Sequence, residues 1–393
     1  MANKRMLEAG NKKSAIRELY SYGLERAEEI GKDNVFDYSL GNPNVPPPKE
    51  LTAELERLLK EEDSVALHGY TPSIGDTGAR ASIAGYLNRT YGLTLTRHDF
   101  VLTCGAAAGL AMALHALVEE PGDEVVVFAP FFPEYRLFAE QAGGKLVVVP
   151  TEAPEFAPDA DALAKAITPR TKVVILNNPN NPTGAVYSEK DVKRVCEVLE
   201  KCGHPVWLLS DEPYRDLVFE GDKPPFLTKY YARTLVCFSY SKVLSIPGER
   251  IGYLLVNPAM PERDEVLAAV IGAARALGYV CAPTLWQRVL PAVQGVTSDL
   301  SVYRENGKLL YDKLTSLGFS CVRPRGAFYL FVKAPGGDAR AFSELAKRFE
   351  LLLVPSDSFG VPGYVRLAYC VKRSMIERSF TAFEKLALCK AGN

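Results

Sequence analysis

The chain is organised around one stretch, Ser239-Tyr240-Ser241-Lys242-Val243-Leu244-Ser245-Ile246-Pro247-Gly248-Glu249-Arg250-Ile251-Gly252. It follows the run TLVCF at 234–238, whose β-branched and apolar residues predict a buried strand. Two hydroxyls, an amine and a guanidinium therefore follow the end of a buried strand. Such a set can hold a phosphate and still present a nucleophilic amine.

Lys242 is the amine in this set. A lysine that is partly desolvated near other cations has a lowered pKa and can form a Schiff base with an aldehyde. Ser239, Ser241 and Arg250 would bind the phosphate, with Arg250 acting as a charged fork. The simpler alternative is a solvated lysine after a strand. The Ser-x-Ser-Lys pattern alone does not choose between the two, so the rest of the chain must.

The composition restricts the class of protein. With 393 residues, 47% hydrophobic and 24% charged, the chain can bury the cores of roughly two or three domains. A formal net charge of -1 argues against a nucleic-acid partner. No apolar run is long enough to span a membrane and no signal segment opens the chain, so we expect a cytoplasmic protein. Eight dispersed cysteines without a Cys-x-x-Cys pair predict reduced thiols, no disulfide framework and no metal site.

Strand and helix patterns alternate through the first two thirds of the chain. Apolar runs predict strands at 124–128, 145–149, 172–177, 206–210, 234–238 and 251–256, and helical patterns such as 189–201 lie between several of them. This alternation predicts an α/β fold with a large, mostly parallel sheet covered by helices on both faces.

The last third predicts a smaller α+β unit. Helices are expected at 262–277 and 284–317, the second long enough to bridge two domains, and near 339–349 and 372–386, with strands at 319–322, 327–332, 351–354 and 364–368. We therefore place a large domain at 48–285 and assign 1–47 together with 286–393 to a small domain and an N-terminal arm. Residues 1–13 are polar and predict a loose segment.

Unusual residues follow the predicted strands of the large sheet. Phe132, Asn181, Asp211 and Tyr214 each come shortly after a strand, as does Lys242. Ligands of such sheets bind at the carboxyl ends of the strands. Each residue has a simpler role, such as core aromatic, turn residue or helix cap, but their convergence on one edge favours a binding site.

Two further stretches could bind negatively charged groups. Gly105, Ala106 and Ala107 lead from a short strand into a helix, where exposed backbone N–H groups can bind an anion; taken alone, tight helix packing is the favoured explanation there. Arg366 lies in the apolar strand Val365-Arg366-Leu367-Ala368, so its charge needs a partner, either a protein carboxylate or a substrate carboxylate.

Together the motifs resemble a known family. Four motifs in this order are similar to those of the fold-type I, class I/II aminotransferases that use pyridoxal 5′-phosphate: Asn181-Pro182-Thr183-Gly184, Asp211-Glu212-Pro213-Tyr214, Ser239-x-Ser241-Lys242 and Gly248-x-Arg250-x-Gly252. The resemblance runs from about Asp37 to the C-terminus. It implies transfer of an amino group between an L-amino acid and a 2-oxo acid by a ping-pong mechanism.

The resemblance also implies roles for individual residues. Lys242 would form the internal aldimine with the cofactor and then shuttle the substrate proton. Asp211 would pair with the pyridine nitrogen, which makes the ring an electron sink. Tyr214 and Asn181 would hydrogen-bond the phenolic oxygen of the cofactor.

The remaining implied contacts surround this centre. Phe132 would stack on the ring, although Phe131 and Tyr135 stay open as alternatives. The phosphate would be bound by Gly105, Ala106, Ala107, Ser239, Ser241 and Arg250, and by Tyr70 from the neighbouring subunit, which implies a homodimer with shared sites. Arg366 would bind the substrate α-carboxylate, and Gly41 would lie over the substrate.

Three alternatives are weighed against transamination. A carbon–sulfur β-lyase on the same fold would use the same lysine and aspartate, so the motifs do not separate it. A regulatory protein that borrows the fold would need a DNA-binding domain, and only about forty residues precede the resemblance. A nicotinamide-dependent dehydrogenase is disfavoured because no Gly-x-Gly-x-x-Gly follows a first strand.

Overall fold

The computed structural model describes residues 2–11, 14–221 and 223–390. The strands in this part of the chain, in sequence order, are β1 (Phe36–Asp37), β2 (Phe100–Thr103), β3 (Glu124–Phe128), β4 (Lys145–Val149), β5 (Thr171–Asn177), β6 (Trp207–Asp211), β7 (Thr234–Ser239), β8 (Gly252–Val256), β9 (Tyr329–Lys333), β10 (Leu351–Leu352), β11 (Val354–Pro355) and β12 (Tyr364–Ala368).

The α-helices of the same ranges are α1 (Lys4–Asn11), α2 (Ala15–Ile30), α3 (Lys49–Glu61), α4 (Ser64–His68), α5 (Thr77–Tyr91), α6 (Ala106–Leu117), α7 (Glu134–Gln141), α8 (Ala160–Ala166), α9 (Glu189–Glu200), α10 (Tyr240–Val243), α11 (Arg263–Ala276), α12 (Thr284–Val289), α13 (Ser301–Ser316), α14 (Ala339–Lys347) and α15 (Arg373–Lys390).

A seven-stranded sheet in the order β2-β8-β7-β6-β5-β3-β4 forms the centre of the molecule. Five of its strands, β4, β3, β5, β6 and β7, run parallel, and β8 is antiparallel to both of its neighbours. An apolar core lies on each face of this sheet, and successive residues of β3 point alternately into the two cores. Val125 and Val127 pack with α6 and α11, whereas Val126 and Phe128 pack with α8 and α9. Both faces are thus covered, as near-continuous apolar strands require.

A smaller α+β unit packs around a second sheet. Strands β11, β12 and β9 form an antiparallel sheet in that order, and β1 pairs with β10 in parallel. A separate apolar core joins this sheet to α13, α14 and α15. The predicted fold class, a large mostly parallel α/β sheet with a smaller α+β unit, is therefore confirmed.

The long helix predicted at 284–317 is wrong. The chain forms α12, a short 3-10 turn at Leu290–Ala292 and then α13, which begins only at Ser301. Pro291 lacks the N–H that a continuing helix needs, and Gly295 adopts a positive φ of 80°. The apolar periodicity persists across this break because both segments pack on apolar cores.

Two smaller expectations also need correction. The predicted loose segment 1–13 contains the helix α1, no residue of which is buried; residues 1, 12 and 13 lie outside the described ranges. The strand predicted at 319–322 is reduced to one isolated bridge between Cys321 and Val332. None of the helices in the described ranges has the length and apolar character needed to cross a bilayer.

Candidate active site

The carboxyl ends of β5, β6 and β7 bring the predicted site residues together. The register pairs Asn177 with Asp211 and Asp211 with Cys237, so these ends are level. Strand β8 runs the other way, and its first residue, Gly252, pairs with both Ser239 and the end of β2 at Thr103. The lysine stretch and the start of α6 therefore meet at the same edge of the sheet.

Lys242 lies in α10, immediately after β7, and is half-buried. Its Nζ donates a hydrogen bond of 2.7 Å to the carbonyl oxygen of Gly41. Burial lowers the pKa of Lys242 to about 8, and the positive charges of Arg250 and Arg366 act in the same direction. The amine is thus easier to deprotonate than an exposed lysine, which is what a nucleophile or base requires.

Asp211 ends β6 and is only 4% exposed. Tyr135 Oη donates a 2.5 Å hydrogen bond to Asp211 Oδ2, and Asn177 Nδ2 donates to the Asp211 backbone oxygen at 2.9 Å. Within the described part of the chain, the second carboxylate oxygen, Oδ1, has no partner. Burial raises the pKa of Asp211 to about 7, opposed by the Tyr135 hydrogen bond. Among the residues that the structure describes, the carboxylate therefore retains one acceptor without a donor.

Tyr214, also buried, follows Asp211 by three residues and contacts a tyrosine from the small sheet. Its hydroxyl oxygen lies 2.8 Å from that of Tyr329, the first residue of β9. Burial raises the pKa of Tyr214 well above its usual value, so the phenol is neutral and can donate one hydrogen bond.

Arg366 is buried in β12 and joins both units of the fold. Its Nη1 donates to Asn181 Oδ1 at 3.1 Å and its Nη2 donates to the Ser39 carbonyl oxygen at 2.5 Å. The guanidinium lies 4.6 Å from the ring centre of Tyr329 and 5.2 Å from that of Phe359. Over the described ranges Arg366 has no carboxylate partner and its Nε has no acceptor. Of the two partners expected from sequence, a protein carboxylate is therefore not observed among the described residues.

A cluster of donors lies at the N-terminus of α6. Arg250 adopts a positive φ of 53°, and its guanidinium donates to the carbonyl oxygens of Pro247 at 2.8 Å and Cys104 at 3.2 Å. Gly105 has a φ of 82°, and a Cβ there would lie 2.6 Å from Arg250 Nη2. Only glycine therefore lets the backbone and the guanidinium approach this closely.

Two hydroxyls and the first turn of α6 complete this cluster. The oxygens of Ser239 and Ser241 are 2.7 Å apart, and Arg250 Nη1 lies 3.5 Å from Ser241 Oγ. Ala106 and Ala107 form the first turn of α6, whose N-terminal N–H groups favour an anion. Hydroxyls, a guanidinium and helix N–H groups are the groups that bind a phosphate.

The three aromatic candidates for stacking lie in different environments. Phe131 is buried, and a Cβ on Gly360 would lie 2.5 Å from its ring. Tyr135 is bonded to Asp211 through its hydroxyl. Phe132 is half-buried and meets Tyr135 edge to face, with ring centres 5.6 Å apart. Phe132 remains the predicted stacking residue.

Tyr70 stands apart from the other site residues. Its side chain is 90% exposed, so it does not pack into the site of its own chain. The adjacent Gly69 carbonyl accepts a 2.7 Å hydrogen bond from Thr284 Oγ1, which fixes this turn on the surface. The structure thus places Tyr70 on an exposed, anchored turn.

Three residues that support the site were not predicted from the sequence in that role. Tyr329 contacts both Tyr214 and Arg366, and Asn177 supports Asp211. Tyr135 was weighed only for stacking, whereas the structure bonds it to Asp211. A tyrosine inside the apolar run 326–331 was the available signal, because a buried phenol needs a hydrogen-bond partner. No cluster of potential metal ligands occurs within the described ranges.

Comparisons with known proteins find the same fold and similar sequences. A family model described as aminotransferase class I and II matches residues 34–383. An aspartate aminotransferase of Pyrococcus horikoshii is 29% identical, covering 95% of this chain and 94% of the relative. An aromatic-amino-acid aminotransferase 2 of Thermococcus litoralis is 30% identical, covering 95% of each. A solved structure of an amino transferase from Eubacterium rectale is 48% identical over 100% of both chains, with a TM-score of 0.97.

Proposed function

The chain belongs to the class I and II aminotransferase family and is an aminotransferase, and from this premise we propose that it binds pyridoxal 5′-phosphate through Lys242. The reaction moves an amino group between an L-amino acid and a 2-oxo acid. The named relatives support transamination and give no support to the carbon–sulfur lyase alternative.

The residues present fit this cofactor. The observation that carries the proposal is the buried Oδ1 of Asp211, which has no partner among the described residues and lies at the same sheet edge as the Lys242 amine. A protonated pyridine nitrogen would supply the missing donor, and the charge-assisted bond would stabilise it by about 1.5–3 kcal/mol. The cluster around Arg250 and the start of α6 would hold the phosphate group.

The bound cofactor supplies an aldehyde that condenses with amines and a ring that accepts electrons from the substrate α-carbon. Lys242 would hold the cofactor and, once released, take the α-proton on its Nζ. A pKa near 8 leaves part of the amine unprotonated near neutral pH. Tyr214 and Asn181 would donate to the phenolic oxygen, Phe132 would cover one face of the ring, and Asp211 would keep its nitrogen protonated.

Arg366 would bind the substrate through its α-carboxylate. Its guanidinium is preorganised by Asn181, the Ser39 carbonyl and the Tyr329 ring before any substrate arrives. Gly41 would lie over the substrate, where its carbonyl also holds the free Lys242 amine. A substrate carboxylate would form a charge-assisted bond with this buried guanidinium, and the bond would hold the substrate in a fixed orientation.

The relatives include proteins named for aspartate and for aromatic amino acids. Two arginines that could bind a second carboxylate are engaged elsewhere: Arg80 donates to the carbonyls of Gly75 and Arg97, and Arg288 pairs with Asp76. A test must therefore cover acidic, aromatic and aliphatic amino acids.

We further propose a cytoplasmic homodimer with shared sites and without a nucleic-acid partner. The exposed ring of Tyr70 supports the dimer, because a residue assigned to the phosphate lies outside its own chain's site. The net charge of -1 is consistent with the lack of a nucleic-acid partner, and the dispersed cysteines, none in a Cys-x-x-Cys pair, are consistent with a cytoplasmic location. The division into a large domain at 48–285 and a small domain with the N-terminal arm stays a prediction.

The proposal is tested by absorbance. The purified protein is mixed with pyridoxal phosphate, freed of excess, and then titrated with L-aspartate, L-phenylalanine, L-alanine and others in turn. We expect a yellow band that one amino acid shifts and its paired 2-oxo acid restores. A protein that stays colourless would overturn the cofactor assignment, and pyruvate release from cystathionine without band recovery would favour the lyase.

A further inference from the structure

A buried tyrosine pair connects the seven-stranded sheet with the three-stranded sheet. The hydroxyl oxygens of Tyr214 and Tyr329 are 2.8 Å apart, and the rings meet edge to face with centres 5.7 Å apart. Tyr214 follows β6 of the large sheet, and Tyr329 begins β9 of the small one. Burial raises the pKa of both phenols, that of Tyr329 to about 12, so each carries its proton at neutral pH.

We propose that Tyr329 is a positioning residue that acts through Tyr214 to lower the proton affinity of the Lys242–cofactor linkage. The inference rests on the proposed function, because it requires Tyr214 to donate to the phenolic oxygen of the cofactor. It assigns to Tyr329 a role in tuning the site rather than in contacting the reacting atoms.

The number of protons fixes the direction of the bond. A tyrosine hydroxyl has one hydrogen to donate. When Tyr214 gives that hydrogen to the cofactor, only Tyr329 can donate in the bond between the two tyrosines. Such a chain polarises its middle member and makes Tyr214 a stronger donor. A stronger donor stabilises negative charge on the phenolic oxygen, and the linkage then holds its own proton less tightly.

Gly41 and Arg366 hold the Tyr329 ring in place. A Cβ built on Gly41 would overlap the Tyr329 hydroxyl and come within 3.0 Å of its Cζ. The hydroxyl reaches Tyr214 because residue 41 has no side chain. On another side, the Arg366 guanidinium lies 4.6 Å from the ring centre. Changing Tyr329 to phenylalanine removes the hydroxyl and keeps the ring that Arg366 contacts.

The experiment is a pH titration of the absorbance of the loaded protein. The variants are Tyr329→Phe, Gly41→Ala and the double variant. The control is Tyr231→Phe, which removes a buried tyrosine hydroxyl bonded at 2.7 Å to the Val206 carbonyl, just before the opposite end of β6. We expect Tyr329→Phe to raise the pKa of the linkage by roughly half a unit, the scale of one polarising bond lost from a charge-assisted donor.

The double variant separates this account from a general disturbance. Gly41→Ala pushes the Tyr329 hydroxyl away and should raise the pKa in the same direction. Both single changes remove the same interaction, the hydrogen bond between Tyr329 and Tyr214. The pKa of the linkage in the double variant should therefore shift no further than in Tyr329→Phe alone. Tyr231→Phe should titrate as the wild type does.

The results distinguish a failure of the role of Tyr329 from a failure of the proposed function. Three results would each overturn the role of Tyr329 while leaving the proposed function intact. They are an unchanged pKa of the linkage in Tyr329→Phe, additive pKa shifts in the double variant, and an equal pKa shift in Tyr231→Phe. If Tyr329→Phe does not load, Gly41→Ala alone must raise the pKa, and an unchanged value overturns the inference. A wild-type protein with no titrating band overturns the proposed function and this inference with it.

Discussion

Tyr135 donates a buried 2.5 Å hydrogen bond to Asp211 Oδ2, and the other oxygen of that carboxylate has no partner in the described part of the chain. An unpaired acceptor in a buried carboxylate is costly unless a ligand completes it. Tyr135 also orients the carboxylate, because it fixes which oxygen remains free. The proposed cofactor would supply the donor that Oδ1 lacks among the described residues.

Replacing Asp211 with asparagine should change how the stability of the cofactor-free protein depends on pH. Burial raises the pKa of Asp211 to about 7, whereas an unfolded chain has about 3.9. Between these values the folded state holds a proton that the unfolded state has lost, so the free energy of unfolding falls as pH rises from about 4 to 7.

Denaturant unfolding at pH 5 and pH 8 measures this effect. We expect the wild type to lose on the order of a few kcal/mol relative to Asp211→Asn across that interval. Saturating pyridoxal phosphate should remove the wild-type loss, since the proposed contact would have the ring nitrogen donate to Oδ1. Parallel pH profiles for the two proteins would contradict the environment described for Asp211.

Gly105→Ala should weaken cofactor binding. The new Cβ would lie 2.6 Å from Arg250 Nη2, at a φ that alanine rarely adopts, so the guanidinium must move. Loss of one charge-assisted phosphate contact is worth about 1.5–3 kcal/mol, or roughly 10- to 100-fold in the dissociation constant.

Gly248→Ala is the matched control for Gly105→Ala. It lies in the turn before Arg250, has no positive φ, and a Cβ there meets nothing within 4 Å. Dissociation constants from absorbance titration with pyridoxal phosphate should rise for Gly105→Ala and stay near wild type for Gly248→Ala. Equal affinities for both variants would mean that the cluster at the start of α6 does not bind the phosphate.

Tyr70 should act in the partner's site, and mixed dimers can show this. Lys242→Ala and Tyr70→Ala homodimers should each be nearly inactive at limiting cofactor. In a heterodimer, one site combines an intact Lys242 with the Tyr70 of the Lys242→Ala subunit and is complete. When equal amounts of the two variants exchange subunits at random, half of the dimers are heterodimers and one quarter of all sites are complete. The mixture should therefore have about one quarter of the activity of the same amount of wild-type protein. Activity no higher than the sum of the two homodimers would exclude sharing of Tyr70.

The fold could be predicted from sequence where the burial of a single element produces a recognisable pattern of apolar residues. The strands of the large sheet, buried on both faces, appear as apolar runs, and β3 and β4 match the predicted bounds. The break between α12 and α13 was missed because apolar periodicity continues while Pro291 and Gly295 end the helix. The strand predicted at 319–322 rested on a short apolar run, and within it only Cys321 forms a β-bridge.

The site could be predicted where residues follow strands in the sequence. The position of Asp211 and Lys242 at one edge was predictable because the carboxyl ends of parallel strands share one edge, and the structure places both there. Tyr329 could not be placed in this way, because it begins a strand of the other sheet and meets Tyr214 only after the two units pack. Contacts between distant segments, such as Arg366 with the Ser39 carbonyl, likewise leave no local pattern.

The most direct test of the central claim is to locate the cofactor on the chain. The protein loaded with pyridoxal phosphate is reduced with borohydride, which converts a Schiff base into a stable amine, and is then digested and mapped by mass spectrometry. The account predicts one modified residue, Lys242, and no stable adduct in Lys242→Ala. Labelling of a different lysine, or an unmodified Lys242 in yellow protein, would contradict it.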